Sequence, residues 1–393
     1  MINVLVLSRN YPNAVLPLIG PWVQQWAKFT LSECQVRAVA PVPYYPRFLP
    51  GPVEFRRFSQ IPSQELADGI EVSHPRFFTG PGYSTHTLDA DAYFLGVRKT
   101  IDRLWREQPF DLIHAHFIYP DGVAGARLAQ RYDVPLVVTE HAFWHPWLDQ
   151  YPRVRRQAVG AAKTIAFHIA VSQSVRRSIS RFTGENERLR VIPVGVNIER
   201  FTPLPDGEKP DPHSILFVGR IHETKGVDVL LRAMRLLADR NPAVRLSLVG
   251  GSFYRPTQIR EERLKHMAEE LGLSEHVRFL GIQSPDQVAE TMRRSSLLVL
   301  PSRRETLGAV LIEALACGIP VVATRCGGPE DVVNDSVGML VPNEDPSSLA
   351  DAMEIVLKQR EEYDPRVLRQ YAAERFSWQT VAAQTIDLYR SAL

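Results

Sequence analysis

Cysteine is scarce: Cys34, Cys317 and Cys326 are the only three in 393 residues, they have no metal-like spacing, and they cannot all pair. A disulfide framework is excluded, and the count suits a reducing compartment. The most apolar stretch, Ala158 to Val171, is interrupted by Lys163 and His168 and is too short to span a bilayer. The opening Met1-Ile2-Asn3-Val4-Leu5-Val6-Leu7-Ser8 has no basic leader and predicts a buried first strand instead of a signal peptide. Low-complexity tracts and short repeats are missing too. So are a Gly-x-Gly-x-x-Gly fingerprint, a phosphate-binding Walker loop and a Gly-x-Ser-x-Gly elbow, which weighs against a dinucleotide oxidoreductase, an NTPase and a serine hydrolase. The expectation is a cytoplasmic enzyme.

What is present is a chain of 393 residues, 45% hydrophobic, long enough for two cores. Short apolar runs alternate with helical segments. Strands are expected near Val4–Ser8, Val36–Ala40, Leu112–Ala115, Leu136–Thr139, Ile165–Val171 and Arg190–Ile192. A second set falls near Ile215–Val218, Arg245–Val249, Val277–Leu280, Leu297–Leu300, Val321–Ala323 and Met339–Val341. Such spacing predicts α/β architecture, two doubly wound domains with helices on both faces of each parallel sheet. Between them Pro193, Pro203, Pro205, Pro210 and Pro212 predict an extended linker. Net charge is +2 but uneven: residues 1–205 carry 23 Lys+Arg against 17 Asp+Glu. Arg153, Arg155, Arg156, Lys163, Arg176, Arg177 and Arg181 form a run with no acid among them. It reads either as a solvated face or as contact with an anionic membrane surface or a diphosphate-bearing lipid. No nucleic-acid partner is expected.

The most informative segment is Pro301 to Gly318. An apolar strand, Leu297 to Leu300, ends at Pro301-Ser302, and Gly308 precedes the helix Ala309 to Ala316. Glu305 falls in the loop and Glu313 more than a turn inside the helix. Ionised carboxylates accept hydrogen bonds from adjacent hydroxyls, as a sugar ring and a ribose offer, and the open helix N-terminus favours phosphate. Upstream, the strand Ile215 to Val218 runs into Gly219-Arg220, and Lys225-Gly226 opens the next helix. Arg supplies a fixed fork of donors and Lys a mobile charge, a pair suited to a diphosphate at a strand's carboxyl end. Gly281 and Ile282, which follow another strand, and Leu307 are counted with Gly20, Gly219, Gly308 and these charged residues in a sugar-nucleotide site.

In the first half, Phe110-Asp111-Leu112-Ile113-His114-Ala115-His116-Phe117 ends a strand with two histidines, read as pointing to opposite faces: His116 towards ligand, His114 towards packing. Glu140, His141 and Trp144 follow the next strand and form a candidate acceptor group; whether Phe143, Trp144 and Trp147 stack on sugars or fill the core stays open. His114 and His116 with Glu140, His141 and His145 also offer zinc-type ligands, the basis of a rival metal-hydrolase reading that leaves Arg220, Lys225, Glu305 and Glu313 without a role. Asp89-Ala90-Asp91 precedes Tyr93, Phe94, Val97, Ile101 and Leu104, so it reads as an acidic helix start and not a metal motif.

Phe217-Val218-Gly219-Arg220 with Lys225-Gly226-Val227-Asp228, the Glu305 to Glu313 segment, and Gly318-Ile319-Pro320-Val321-Val322-Ala323-Thr324 with Gly327-Gly328 resemble the blocks of glycosyltransferase family 4. Arg9-Asn10-Tyr11-Pro12 through Pro17-Leu18-Ile19-Gly20-Pro21 looks like members that build bacterial cell-surface polysaccharides. The resemblance implies the GT-B fold: an acceptor-side domain over 1–195, a donor domain over 196–376, and a last helix over 377–393 crossing back to the first. It implies a retaining, metal-independent transferase without a cofactor, moving sugar from a UDP- or GDP-sugar to a glycan or lipid-linked acceptor. His116 would touch the donor sugar or the attacking group, Arg220 and Lys225 the diphosphate, Glu305 the sugar and Glu313 the ribose. The alternative is a non-transferring epimerase or hydrolase on the same fold. Three positions depart from the family pattern: Gly20 stands alone where two glycines are common, Thr306-Leu307 replaces Gly-Phe, and Glu330 precedes Asp331 after Gly327-Gly328.

Overall fold

Runs of Val, Leu and Ile become strands because a parallel strand covered by helices on both sides exposes no face to water. The computed structural model describes residues 1–44, 57–79, 86–251 and 255–393. It divides into one unit of Met1–Pro193 with Val381–Leu393 and a second of Val194–Thr380.

In the first unit the strands are β1 (Ile2–Leu7), β2 (Cys34–Val39), β3 (Val42–Tyr44), β4 (Gln64–Ala67), β5 (Ile70–Ser73), β6 (Arg76–Phe78), β7 (Leu112–His116), β8 (Leu136–Glu140), β9 (Phe167–Ala170) and β10 (Leu189–Val191). Eight form one sheet in the order β10-β9-β8-β7-β1-β2-β5-β4, and β3 pairs with β6 in a separate ribbon. All pairs are parallel except β4–β5, a hairpin turning at Asp68 and Gly69, both at positive φ. That hairpin and the β3/β6 ribbon were not expected; the Asp-Gly dipeptide was their one local signal. The acidic pair Asp89/Asp91 opens the helix Asp89–Glu107, as its apolar spacing predicts.

Along the helix Trp378–Ala392, the residues from Val381 onward belong to the first unit. The Trp26 indole N–H donates to Thr385 Oγ1 at 3.3 Å, and Tyr389, fully buried, has its hydroxyl 2.5 Å from His114 Nδ1. Arg390 also pairs with Glu33.

The second unit holds β11 (Ser214–Val218), β12 (Arg245–Val249), β13 (Val277–Gly281), β14 (Leu297–Leu300), β15 (Val321–Thr324) and β16 (Gly338–Val341), in the order β13-β12-β11-β14-β15-β16. Side chains alternate between two cores. Ile215, Phe217, Leu297 and Val299 pack with the helices Val227–Arg240 and Pro346–Lys358. Leu216, Leu298 and Leu300 pack on the other side with Ala309–Ala316 and Pro365–Phe376. Each such buried side chain contributes roughly 1.5–3 kcal/mol. The start of the proline-rich connector, expected as an extended linker, is packed on the second unit. Val196 N–H donates to Phe376 O at 2.7 Å, Arg369 donates to the carbonyls of Ile198 and Phe201 at 2.8 Å, and Val196 and Phe201 are buried. From Val194 onward it is part of the second unit.

Candidate active site

The order of the second sheet puts β11 beside β14, so the loops at their carboxyl ends meet. Gly226, at φ 62°, lies so close to Pro301 that an added Cβ would stand 2.0 Å from its carbonyl oxygen. Only glycine permits that approach. Lys225, ending the turn Glu223–Lys225, consequently reaches across to Glu305, and their side chains form an ion pair. The Ser302 hydroxyl lies 3.4 Å from the same carboxylate oxygen. A third loop supports Glu305 from behind: it bridges to Gly327, and its carbonyl accepts from Gly328 N–H at 2.9 Å. Glu330 accepts from Gly327 N–H with both oxygens, at 3.0 and 3.2 Å, a loop-bracing role for one of the two acids after the glycines.

Arg220 stands just beyond β11, exposed, and its guanidinium makes no hydrogen bond or ion pair among the described residues. Gly219 N–H donates to Val249 O at 3.0 Å, and Gly250 N–H to Gly281 O at 2.8 Å, which sets the loops after β11, β12 and β13 side by side. Ile282, next in line, is 48% exposed. Gly308 caps the helix Ala309–Ala316 in a left-handed conformation. Glu313, within that helix, is half-buried, and burial raises its pKa to about 7. It shares no hydrogen bond with Lys225 or Glu305 among the described residues. Leu307, expected beside the donor, is 3% exposed and packs with Leu300 and Leu311 in the core.

Sequence reasoning missed Arg303. Its guanidinium forks onto Asp228 at 2.8 and 2.7 Å, donates to Glu344 at 2.6 Å and reaches the Glu223 carbonyl at 2.8 Å. Those partners raise its pKa further above the usual range, the Asp228 hydrogen bond most. One of a row of cations in a loop carries no local mark of such a role.

In the first unit, Gly20 caps the helix Pro21–Thr30 at φ 61°, and a Cβ there would lie 1.9 Å from Asn10 O. The two histidines of β7 share one face, since side chains two apart on a strand point the same way. Their rings stack with centroids 4.5 Å apart, which corrects the expectation of opposite faces. His114 is fully engaged, Nδ1 with Tyr389 and Nε2 with Thr139 Oγ1 at 2.8 Å. His116 Nδ1 lies 3.0 Å from His141 Nε2, whereas His116 Nε2 is buried and has no partner among the described residues. Burial lowers His114 and His141 to about 3 and His116 well below its ordinary value, so all three are neutral near pH 7.

Glu140 is 2% exposed, and its carboxylate accepts from Ile118 N at 3.0 Å, Ala142 N at 3.1 Å and Trp144 Nε1 at 2.9 Å. Burial lifts it to about 7 against the pull of those donors. Trp144 is itself 1% exposed, so this ring fills the core. Glu140 thus holds the turn that presents His141 to His116. Two further groups went unnoticed in the sequence. Trp22 Nε1 is buried without a partner among the described residues, its ring 5.8 Å from that of His141. Asp121, fully buried and raised to about 6 by burial, accepts from Arg9 N at 2.6 Å and Tyr93 OH at 2.8 Å, joining the loops after β1 and β7. Among the described residues, no group of three or more His, Cys, Asp or Glu could hold a metal ion. None of the helices searched there is long and apolar enough to cross a membrane.

Two doubly wound units, one carrying an Arg/Lys/Glu cluster on the carboxyl ends of parallel strands, define a glycosyltransferase of the GT-B type. Residues 203–375 match the model of glycosyl transferases group 1, and 61–200 that of glycosyltransferase family 4. The chain is 32% identical over 369 residues to a D-inositol 3-phosphate glycosyltransferase of Streptomyces bingchenggensis, covering 84% of this chain and 78% of that one. A protein of the same name from Corynebacterium jeikeium is 36% identical over 310 residues, covering 71% and 72%. Among solved structures, sucrose-phosphate synthase from Thermosynechococcus elongatus has a TM-score of 0.78 at 22% identity, covering 100% of this chain and 98% of that one. Anabaena HepE in complex with UDP has a TM-score of 0.76 at 22% identity, covering 100% of both. The chain belongs to glycosyltransferase family 4 and is a transferase of the glycosyl-transferring class.

Proposed function

We propose that this enzyme moves a sugar, with retention and without a metal, from a UDP- or GDP-sugar to a glycan or lipid-linked acceptor in building a bacterial surface polysaccharide. The observation that carries the reading is the Lys225–Glu305 pair at the carboxyl ends of β11 and β14, with exposed Arg220 adjacent in sequence to Gly219. As the anomeric bond to the diphosphate breaks, negative charge grows on the leaving group and positive charge on the ring. Arg220 and Lys225 stabilise the former, helped by backbone N–H groups near Gly308, and Glu305 accepts from sugar hydroxyls and offsets the latter. Glu313 holds the ribose. His116 Nε2, neutral and without a partner among the described residues, meets a hydroxyl of the donor sugar or of the acceptor. The acceptor oxygen bonds to the anomeric carbon from the leaving-group side, and its proton passes to the departing phosphate oxygen.

Relatives named as D-inositol 3-phosphate glycosyltransferases favour a hydroxylated ring as acceptor, and HepE bound to UDP-glucose favours a uridine donor. Membrane attachment through the basic run draws on fewer cations than its composition suggests. Arg153 pairs with Asp91, Arg155 and Arg181 with Asp149, and Arg176 with Glu185. The test is a thermal-shift panel of UDP-, GDP- and ADP-sugars, followed by product analysis with and without acceptor. A donor at 100 times its Kd should stabilise the protein by about 2.7 kcal/mol. No shift with any UDP- or GDP-sugar would overturn the donor assignment. Equal donor consumption without acceptor would replace transfer by hydrolysis or epimerisation.

A further inference from the structure

Arg303 belongs to none of the groups assigned to donor or acceptor, yet it is the most heavily bonded side chain in the second unit's site. Its guanidinium N–H groups make four hydrogen bonds, two to Asp228, one to Glu344 and one to the Glu223 carbonyl. Its own backbone is also held, N–H to Thr224 O at 2.8 Å and carbonyl from Asn343 Nδ2 at 3.0 Å. Three of these partners flank Lys225: Glu223 and Thr224 precede it in the same turn, and Asp228 lies in the first turn of the helix that follows, while Glu344 comes from the segment after β16. Arg303 itself sits two residues before Glu305. One planar fork therefore ties the loop that carries the ammonium to the loop that carries the carboxylate.

We infer that Arg303 is a positioning residue that sets the spacing of Lys225 and Glu305, and that Asp228 is its obligate partner. The inference rests on the transferase reading for its effect on turnover. Arg303→Lys keeps the charge but replaces the planar fork with a single tetrahedral nitrogen, so the two parallel bonds to Asp228 are lost. The loops then relax by fractions of an ångström, and misplacement of about 1 Å can cost about 10²-fold in rate.

The test measures kcat, donor KM and melting temperature for Arg303→Lys, Asp228→Asn, the double variant and Glu344→Gln. The two single variants should each lose about tenfold or more in kcat. The double variant should be no worse than the poorer single, because both break one interaction. Glu344→Gln, which leaves the Asp228 fork intact, should stay within about twofold of the parent. Single variants within threefold of parental kcat, or losses that multiply in the double variant, overturn the inference. If the parent turns over no sugar nucleotide, the transferase reading fails instead. Backbone hydrogen exchange over 223–226 then decides: faster exchange in Arg303→Lys than in the parent supports the clamp, and unchanged exchange overturns it.

Discussion

Removing Lys225 and removing Arg220 should have the same effect on turnover and different effects on stability. Lys225 and Glu305 are paired with side chains only 18% and 14% exposed, so Lys225→Ala strands a largely buried carboxylate with the Ser302 hydroxyl at 3.4 Å as its nearest help. Breaking a fully buried pair from one side costs about 3–5 kcal/mol; the residual exposure here brings that to roughly 1–3 kcal/mol. For a unit of this size about 2–4 °C accompanies each kcal/mol, so the melting temperature should fall by roughly 2–12 °C. Arg220 is exposed and bonded to nothing described, so Arg220→Ala should change stability by less than about 0.5 kcal/mol. Both variants should lose about 10²-fold or more in turnover, since each removes a cation from the departing diphosphate. Initial rates at saturating acceptor, with melting curves in the same buffer, give both quantities. Donor turnover within threefold of the parent in both variants would refute the diphosphate assignment. A melting drop in Arg220→Ala as large as that in Lys225→Ala would refute the account of the ion pair.

Burial raises Glu313 from 4.5 to about 7, so between those values the folded chain binds more protons than the unfolded one. Its contribution to stability is full below pH 4.5 and is lost as pH rises through about 7. Glu313→Gln should therefore raise the melting temperature over the parent more at about pH 8 than at about pH 5, while weakening nucleotide binding if the carboxylate holds ribose; a constant or shrinking difference contradicts the sign. Transfer should survive excess EDTA, because two cations take the place of a metal at the leaving group; loss on chelation with recovery on adding zinc or manganese would return weight to a metal site. Changing Arg153, Arg155 and Arg156 to Gln should reduce co-sedimentation with anionic vesicles at low salt, at about 1 kcal/mol per unpaired cation and with the difference fading at high salt. Parent and variant binding alike at low salt would make the run a solvated face.

Much of the architecture follows from the order of residues alone. Ile215 to Val218 and Leu297 to Leu300 are apolar at every position because both faces of a parallel strand are covered, so their burial is written locally. Gly219-Arg220, Lys225-Gly226 and Glu305 were legible for the same reason: polar residues directly after such strands can only lie at the sheet's carboxyl edge. The short strands β3 to β6 were not legible, since three or four residues show no period distinguishable from a loop. Nor could local pattern tell that Trp144 is core, that His114 is tied to Tyr389 while His116 Nε2 has no partner among the described residues, or that the first residues after Pro193 pack on the helix Pro365–Phe376. Those facts, like the meeting of Lys225 with Glu305 and of Arg303 with Asp228, depend on which strands become neighbours. Hydrophobic periodicity reports how deeply a residue is buried, but the partner of a buried polar group comes from whatever segment the topology brings within about 3 Å. Strand order is chosen by the packing of the whole sheet, and only the folded chain determined it.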